Sequence, residues 1–318
     1  MPDVLPVHAG PFALGTFSLA QSEPFAGLVA GDRVRRLDVP GVTESLRAWD
    51  LDELGGLATG PGPWIPLGEL EIHAPLRPRQ VLQSGANYHK HVLDLVMAEF
   101  RADNEGMTEE EARAAGKAMM DARVANGTPY VFAGLPSAIC GPYDDVVLPD
   151  RGSRHDWELE LAVVIGRPAW RVPREEAMRH VAGYTICNDI TTRDQLYRPD
   201  LKKIGTDWLS AKNAPTFLPT GPFLVPAAFA GDPMDLRIRL RHNGVVRQDE
   251  STKDMIFDIA ELIAYTSARV PLSPGDLLLT GSPAGNGAHW GVFLKPGDVM
   301  DAEITGLGHM RNTCVAAD

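Results

Sequence analysis

Residues 155–165 read His-Asp-Trp-Glu-Leu-Glu-Leu-Ala-Val-Val-Ile, in which Trp157, Leu159, Leu161 and Val163 alternate with Glu158 and Glu160. Period two is the period of a β-strand, so both glutamates fall on one face. Neighbouring carboxylates repel, and burying an ionised one is costly, so that face needs water, a basic partner or a cation. The solvated side of an antiparallel strand meets this need. A second acidic strand end opens another reading. Residues 184–188, Tyr-Thr-Ile-Cys-Asn, form a short β-rich run, and Asp189 stands where it stops. Three carboxylates with no Cys or His pair beside them favour Mg²⁺, Mn²⁺ or Ca²⁺ over zinc or copper.

The rest of the chain supplies elements around this centre. Residues 1–75 carry short strand-like pieces at 25–29 and 34–37 and end in Gly60-Pro-Gly-Pro63, which predicts a small N-terminal β module for packing or dimerisation. Residues 76–318 form the larger domain. There, 81–94 read as a strand, a Gly85 turn and a helix start that sets His91 and Asp94 three residues apart on one helix face. A carboxylate beside an imidazole raises its basicity, as a general base requires, although an exposed surface pair has the same spacing. Thr108-Glu-Glu-Glu111 is a capping box for a helix running to Gly127, either a mobile cover or an ordinary surface helix. Residues 129–132 and 138–142 read as strand pieces. Pro173 starts and Gly183 ends a helix that returns the chain to Asp189, soon followed by Arg193, Asp194 and Gln195.

Lys212 precedes a Pro-rich stretch, 214–222, expected to be rigid and extended and to aim the lysine inward. Residues 236–247 predict a hairpin around Asn243-Gly244, with Arg237, Arg239 and Arg241 on a solvated face. Asp254 is expected to cap a helix to about Ser267 that buries Ile256, Ile259 and Ile263. Residues 274–287 give a turn, an apolar strand and a Gly-rich loop whose amides and Thr280 hydroxyl can hold a carboxylate. The loop lacks the Lys-Ser/Thr ending of a nucleotide-binding loop. His289 and Trp290 follow, in a pocket-shaping loop or an exposed turn. A final strand spans 299–304.

Composition narrows the class. The 318 residues are 44% hydrophobic and 23% charged, as in a globular enzyme, and 31 Gly with 26 Pro imply many turns between short strands. The fold class expected is α+β and β-rich. A net charge of −12 disfavours nucleic acid and anionic membranes and leaves a small molecule as the default partner. Cys140, Cys187 and Cys314 form no disulfide framework, and the N-terminus lacks signal-peptide character, so a reduced cytoplasmic protein is expected. No apolar run reaches membrane-spanning length.

Taken in order, these motifs resemble the fumarylacetoacetate hydrolase superfamily over residues 80–312. They are Gly85-x-Asn87-Tyr88-x-x-His91, Asp156-x-Glu158-x-Glu160, Asn188-Asp189-x-x-x-Arg193-Asp194 and Lys212 ahead of Phe217-x-Pro219-x-Gly221-Pro222. Pro274-Gly-Asp276, Thr280-Gly-Ser-Pro283-Ala-Gly285 and Gly306-x-Gly308 complete the set. The resemblance implies a mixed β-sandwich roll, usually a homodimer, with Mg²⁺ or Mn²⁺ (Ca²⁺ as a further option) on Glu158, Glu160 and Asp189. It implies a 2-oxo acid substrate whose enolate the cation stabilises. His91, oriented by Asp94, would activate water. Lys212 and Arg193 would meet developing negative charge, and Tyr88, Thr280, Gly281 and Gln195 would contact substrate.

The chain departs from the family pattern at four places. Asp94 stands where Glu is common, Gly134 where many members have Lys, and Pro215 where Asp is frequent, while Gln195 comes one residue early. The leading expectation is a hydrolase cleaving a carbon–carbon bond of an acylpyruvate-like 2,4-dioxo acid. The alternatives are an oxaloacetate-type decarboxylase, a hydratase or isomerase on the same chemistry, and a non-catalytic metal and metabolite binder.

Overall fold

The computed structural model describes residues 7–20, 22–46, 50–93, 107–201 and 205–317. Its strands in chain order are β1 (His8–Ser18), β2 (Phe25–Gly31), β3 (Arg33–Arg36), β4 (Ile65–Pro66), β5 (Glu71–His73), β6 (Val81–Gly85) and β7 (Tyr130–Gly134). There follow β8 (Ile139–Cys140), β9 (Val146–Leu148), β10 (His155–Asp156), β11 (Leu159–Ile165), β12 (Val181–Asn188), β13 (Thr191–Thr192) and β14 (Leu218–Pro226). The last are β15 (Arg237–His242), β16 (Val245–Ser251), β17 (Leu277–Leu279), β18 (Val299–Ile304) and β19 (Gly308–Ala316).

The larger sheet runs β4-β3-β2-β1-β14-β12-β11-β17-β6-β7, and a second runs β16-β15-β18-β19-β9. Both are mixed: β17 and β6 are parallel, as are β19 and β9, among mostly antiparallel neighbours. Alternation along β11 divides two cores. Leu159, Leu161 and Val163 pack with Ile238, Leu240, Met300 and Ile304 of the second sheet. Ala162 and Val164 face the other way, toward Phe12, Leu14, Leu28 and Leu54. Burying each such Leu or Val contributes roughly 1.5–3 kcal/mol, so β11 is locked on both faces. The result is the expected α+β, β-rich sandwich roll. The N-terminal strands extend the same sheet, since β1 pairs with β14 at Leu14 and Leu224.

Because both faces are covered, the glutamates do not meet solvent: Glu158 is 7% exposed and Glu160 2%. The solvated-face reading therefore fails. The run 155–165 is also not one strand. It splits at Trp157 and Glu158, where the amides of Glu158 and Leu159 donate to the side-chain oxygens Asn188 Oδ1 and Gln248 Oε1 instead of a neighbouring strand's backbone carbonyls.

Three other expectations shift. The helix from Pro173 is one turn, Arg174–Ala177, and Gly183 lies inside β12, where a β-carbon would meet the Val225 carbonyl oxygen at 2.0 Å. The Pro-rich stretch extends only from Leu218, after a turn in which Thr216 has φ +68°. The helix expected from Asp254 is Ile259–Ser267, capped by Asp258, whose side chain accepts from the Glu261 amide. Asp254 instead accepts from the Lys90 amide at 2.9 Å, tying down the turn that leads to His91. Ile259 and Ile263 are buried as expected, and Ile256 lies before the helix. The hairpin at Asn243-Gly244 forms with both residues at positive φ, and the helix Glu109–Asn126 carries the full Thr108–Glu111 capping box.

Candidate active site

Register assembles the acids. Leu159 pairs with Asn188 and Glu160 with Cys187, which brings Glu158 opposite Asp189 just beyond the paired ends. The Asp189 amide donates to the Glu158 carbonyl at 2.8 Å. Directly opposed residues share a face of the sheet, so the three carboxylates converge. One ligand oxygen from each of Glu158, Glu160 and Asp189 lies within 4.8 Å of the others, all buried.

Two permanent cations enter the same space. Lys212, 3% exposed at the end of the helix Trp208–Lys212, donates to Glu158 Oε2 at 2.6 Å and also pairs with Asp189. Arg193 donates through Nε to Asp156 Oδ2 at 2.8 Å and through its terminal nitrogen to Glu158. Glu160 accepts the Gly281 amide at 2.7 Å. These contacts divide the acids. Burial pushes the Glu158 carboxyl up, but Arg193, Lys212 and His91 together outweigh it and hold the group below the usual range. Burial raises Glu160 well above that range, and neighbouring Asp189 adds to the rise. Asp189 is raised to about 6 by burial, with Lys212 opposing. Lys212 is held up, its burial outweighed by Asp189, Glu158 and Glu160.

The other residues singled out in the sequence take definite places. His91 is buried and acts electrostatically on Glu158, whereas Asp94 lies outside the described residues. Tyr88 is fully buried, its hydroxyl beside Thr280 and pushed up by burial. The Thr280 hydroxyl donates to the Leu161 carbonyl at 3.0 Å. The glycine-rich loop does grip carboxylates, and they are the protein's own: Gly281 holds Glu160, while the Gly287 and Ala288 amides hold Asp156. Gln195 is half-buried in the turn Arg193–Gln195, and Asp194 accepts the Ser153 amide at 2.9 Å. His289 and Trp290 are exposed at the end of the one-turn helix Gly287–Trp290, their rings edge to face with 4.7 Å between centroids.

Two further residues support this set: Asn87, which belongs to the Gly85-x-Asn87-Tyr88 motif but carried no role there, and Gln83, which the sequence motifs omit. Asn87 ties the loop together, donating to the Phe257 and Thr280 carbonyls at 3.1 and 2.8 Å. Gln83 Nε2 donates to Asp189 Oδ1 at 2.6 Å. The available signal was a lone amide in the apolar run of β6.

The donor set fits a hard divalent cation. Among the described residues, the carboxylates of Asp156, Glu158, Glu160 and Asp189 face only Arg193 and Lys212 as permanent cations at close range. With all four acids ionised the excess is two negative charges in a buried site, which a divalent ion on oxygen ligands balances, and the raised Glu160 carboxyl reflects that excess in the metal-free protein.

The family model for fumarylacetoacetate (FAA) hydrolase C-terminal matches residues 80–315. The bovine (Bos taurus) mitochondrial oxaloacetate tautomerase FAHD2A is 38% identical over 256 residues, 80% of this chain and 72% of that protein. The 2,4-didehydro-3-deoxy-L-rhamnonate hydrolase of Sphingomonas sp. (strain SKA58) is 43% identical over 186 residues, 58% of this chain and 64% of its own. Two solved structures superpose over nearly the whole chain. Fumarylacetoacetate hydrolase from psychrophilic Exiguobacterium antarcticum gives a TM-score of 0.75 at 28% identity, covering 96% of this chain and 100% of its own. The 5-carboxymethyl-2-hydroxymuconate delta-isomerase of Mycobacterium smegmatis gives 0.71 at 27%, covering 96% and 99%. The chain belongs to the fumarylacetoacetate hydrolase superfamily, whose members are enzymes. Among the described residues, no helix is long and apolar enough to cross a membrane.

Proposed function

We propose that this protein is a divalent-metal-dependent enzyme that takes a small 2-oxo acid through its enolate, with Glu158, Glu160 and Asp189 as the metal ligands. The observation that carries this reading is the buried acidic set whose charge Arg193 and Lys212 balance only in part. When bound, Mg²⁺ or Mn²⁺ would supply a Lewis acid against the substrate oxygens and the developing enolate. The protein's own residues divide the remaining work. Lys212 and Arg193 set positive charge where negative charge develops. His91, buried and close enough to act on Glu158, is placed to move a proton. The Gly281 amide holds Glu160 in its ligand position.

Hydrolysis of a carbon–carbon bond in an acylpyruvate-like 2,4-dioxo acid is the outcome that uses His91 as the base for water. A second reading is keto–enol conversion of an oxaloacetate-type acid, which needs proton transfer and no attacking water. It is favoured by the similarity to oxaloacetate tautomerase FAHD2A, which extends over 80% of this chain. The test is turnover of an acylpyruvate panel and of oxaloacetate by metal-stripped protein, with and without Mg²⁺ or Mn²⁺. Metal-dependent release of pyruvate from an acylpyruvate, lost in His91→Ala, supports the hydrolase. Turnover of oxaloacetate alone moves the assignment to the second reading, and no turnover of either substrate with either ion removes both.

A further inference from the structure

Gln83 is a polar residue in an apolar strand, 1% exposed. It lies on the face that carries the acids: Gln83 pairs with Leu279 and Leu279 with Ala162, the residue two beyond Glu160 on β11. Its Nε2 donates to Asp189 Oδ1 at 2.6 Å, while Lys212 takes Oδ2. Each oxygen of Asp189 is therefore held by a different donor.

The arrangement has a cost and a fitted space. Among the described residues, Gln83 Oε1 is buried without a hydrogen-bond partner, a desolvation penalty that an apolar side chain would not incur. The space comes from Gly134, which pairs with Val81 two residues along β6. A β-carbon at Gly134 would sit 2.6 Å from Gln83 Oε1 and 2.9 Å from its Cδ. Any larger residue there displaces the carboxamide from its present position.

We propose that Gln83, given room by Gly134, is a positioning residue that fixes the Asp189 carboxylate for cation binding. The inference rests on the reading of Asp189 as a metal ligand. It makes the glycine at 134 part of the site without contact with any ligand: the pair of Gln83 and Gly134 works as a unit.

The test is Mn²⁺ affinity of the metal-stripped full chain, read by electron paramagnetic resonance alongside thermal unfolding. Gln83→Met keeps length and bulk and removes the donor; it should weaken Mn²⁺ binding by about tenfold or more, the usual effect of removing a partner that orients a ligand. Gly134→Ala should weaken it in the same direction. In a Gln83→Ala background, where the carboxamide is gone, Gly134→Ala should have no further effect. A folded Gln83→Met with wild-type affinity overturns the proposal, as does a Gly134→Ala effect that persists undiminished in the Gln83→Ala background. Should Gln83→Met not fold, the Gly134→Ala arms decide alone. Failure of the wild-type chain to bind Mn²⁺ removes the ligand reading and this inference together; unchanged variant affinity with a binding wild type removes this inference only.

Discussion

Lys212 Nζ lies 2.6 Å from Glu158 Oε2, both side chains buried, and the same ammonium pairs with Asp189. Deleting one partner of a buried ion pair leaves the others uncompensated, at roughly 3–5 kcal/mol. Lys212→Met, which keeps most of the stem, is therefore expected to lower Tm strongly in chelator. Saturating Mn²⁺ should recover part of that loss, because a ligand that binds only the folded state stabilises it. Differential scanning calorimetry in both conditions checks this; an unchanged Tm in chelator would show that the pair carries no net stability.

Glu160 should respond in the opposite way. Burial and nearby Asp189 push its carboxyl well above the ordinary range, so ionisation there opposes folding. Glu160→Gln keeps the shape and an acceptor for the Gly281 amide while removing the charge. Metal-free stability should be retained or rise, while Mn²⁺ affinity falls by about tenfold or more. Thermal melts paired with Mn²⁺ titration separate the two effects, and a destabilised metal-free variant would contradict the charge assignment.

The same acids set a pH dependence. Asp189 is raised from 3.8 to about 6, chiefly by burial, so between those values the folded metal-free protein holds more protons than the unfolded chain. Its contribution to stability is thus present below pH 3.8 and declines as pH rises through about 6. Cation binding requires the deprotonated carboxylate and runs the other way, strengthening as pH rises through the same range. Calorimetry near pH 6 in buffers of different ionisation enthalpy should register proton release on Mn²⁺ binding; identical heats after correction for metal–buffer association would contradict it.

Gly281 has φ +96°, and a β-carbon there would meet Asn87 Cβ at 3.0 Å and the Ser84 carbonyl oxygen at 3.1 Å. Gly281→Ala is expected to cost about 1–3 kcal/mol from strain and to weaken Mn²⁺ binding by displacing the amide that holds Glu160. Gly291 is the control: its φ is +66°, yet nothing lies within 4 Å of an added β-carbon. Gly291→Ala should lose some stability and keep its metal affinity. Equal loss of affinity in both variants would show that the effect is general.

The acidic centre was legible because its signal is local. Period two placed Glu158 and Glu160 on one face, and a strand end placed Asp189. The capping box at Thr108 and the Asn243-Gly244 hairpin were legible for the same reason. What the pattern did not carry was burial on both faces of β11, which depends on strands distant in sequence on both sides of it, β1 and β2 covering one face and β15 and β18 the other. Helix ends near Pro173 and Asp254 were misplaced because tertiary partners decide them: Gly183 is needed for close approach to β14, and Asp254 anchors the turn at Lys90. Gln83 escaped, and Asn87 was named in a motif without a role, because what they do exists only when β6 lies beside β17, a parallel pairing that joins residues nearly 200 apart.

The most direct measurement is an Mn²⁺ titration of the metal-stripped protein beside its Glu158→Ala, Glu160→Ala double variant, followed by electron paramagnetic resonance. One tightly held ion per wild-type chain is expected, with loss of that site in a variant that remains folded. Equal binding by the two proteins, or no binding by the wild type, would rule out Glu158 and Glu160 as metal ligands.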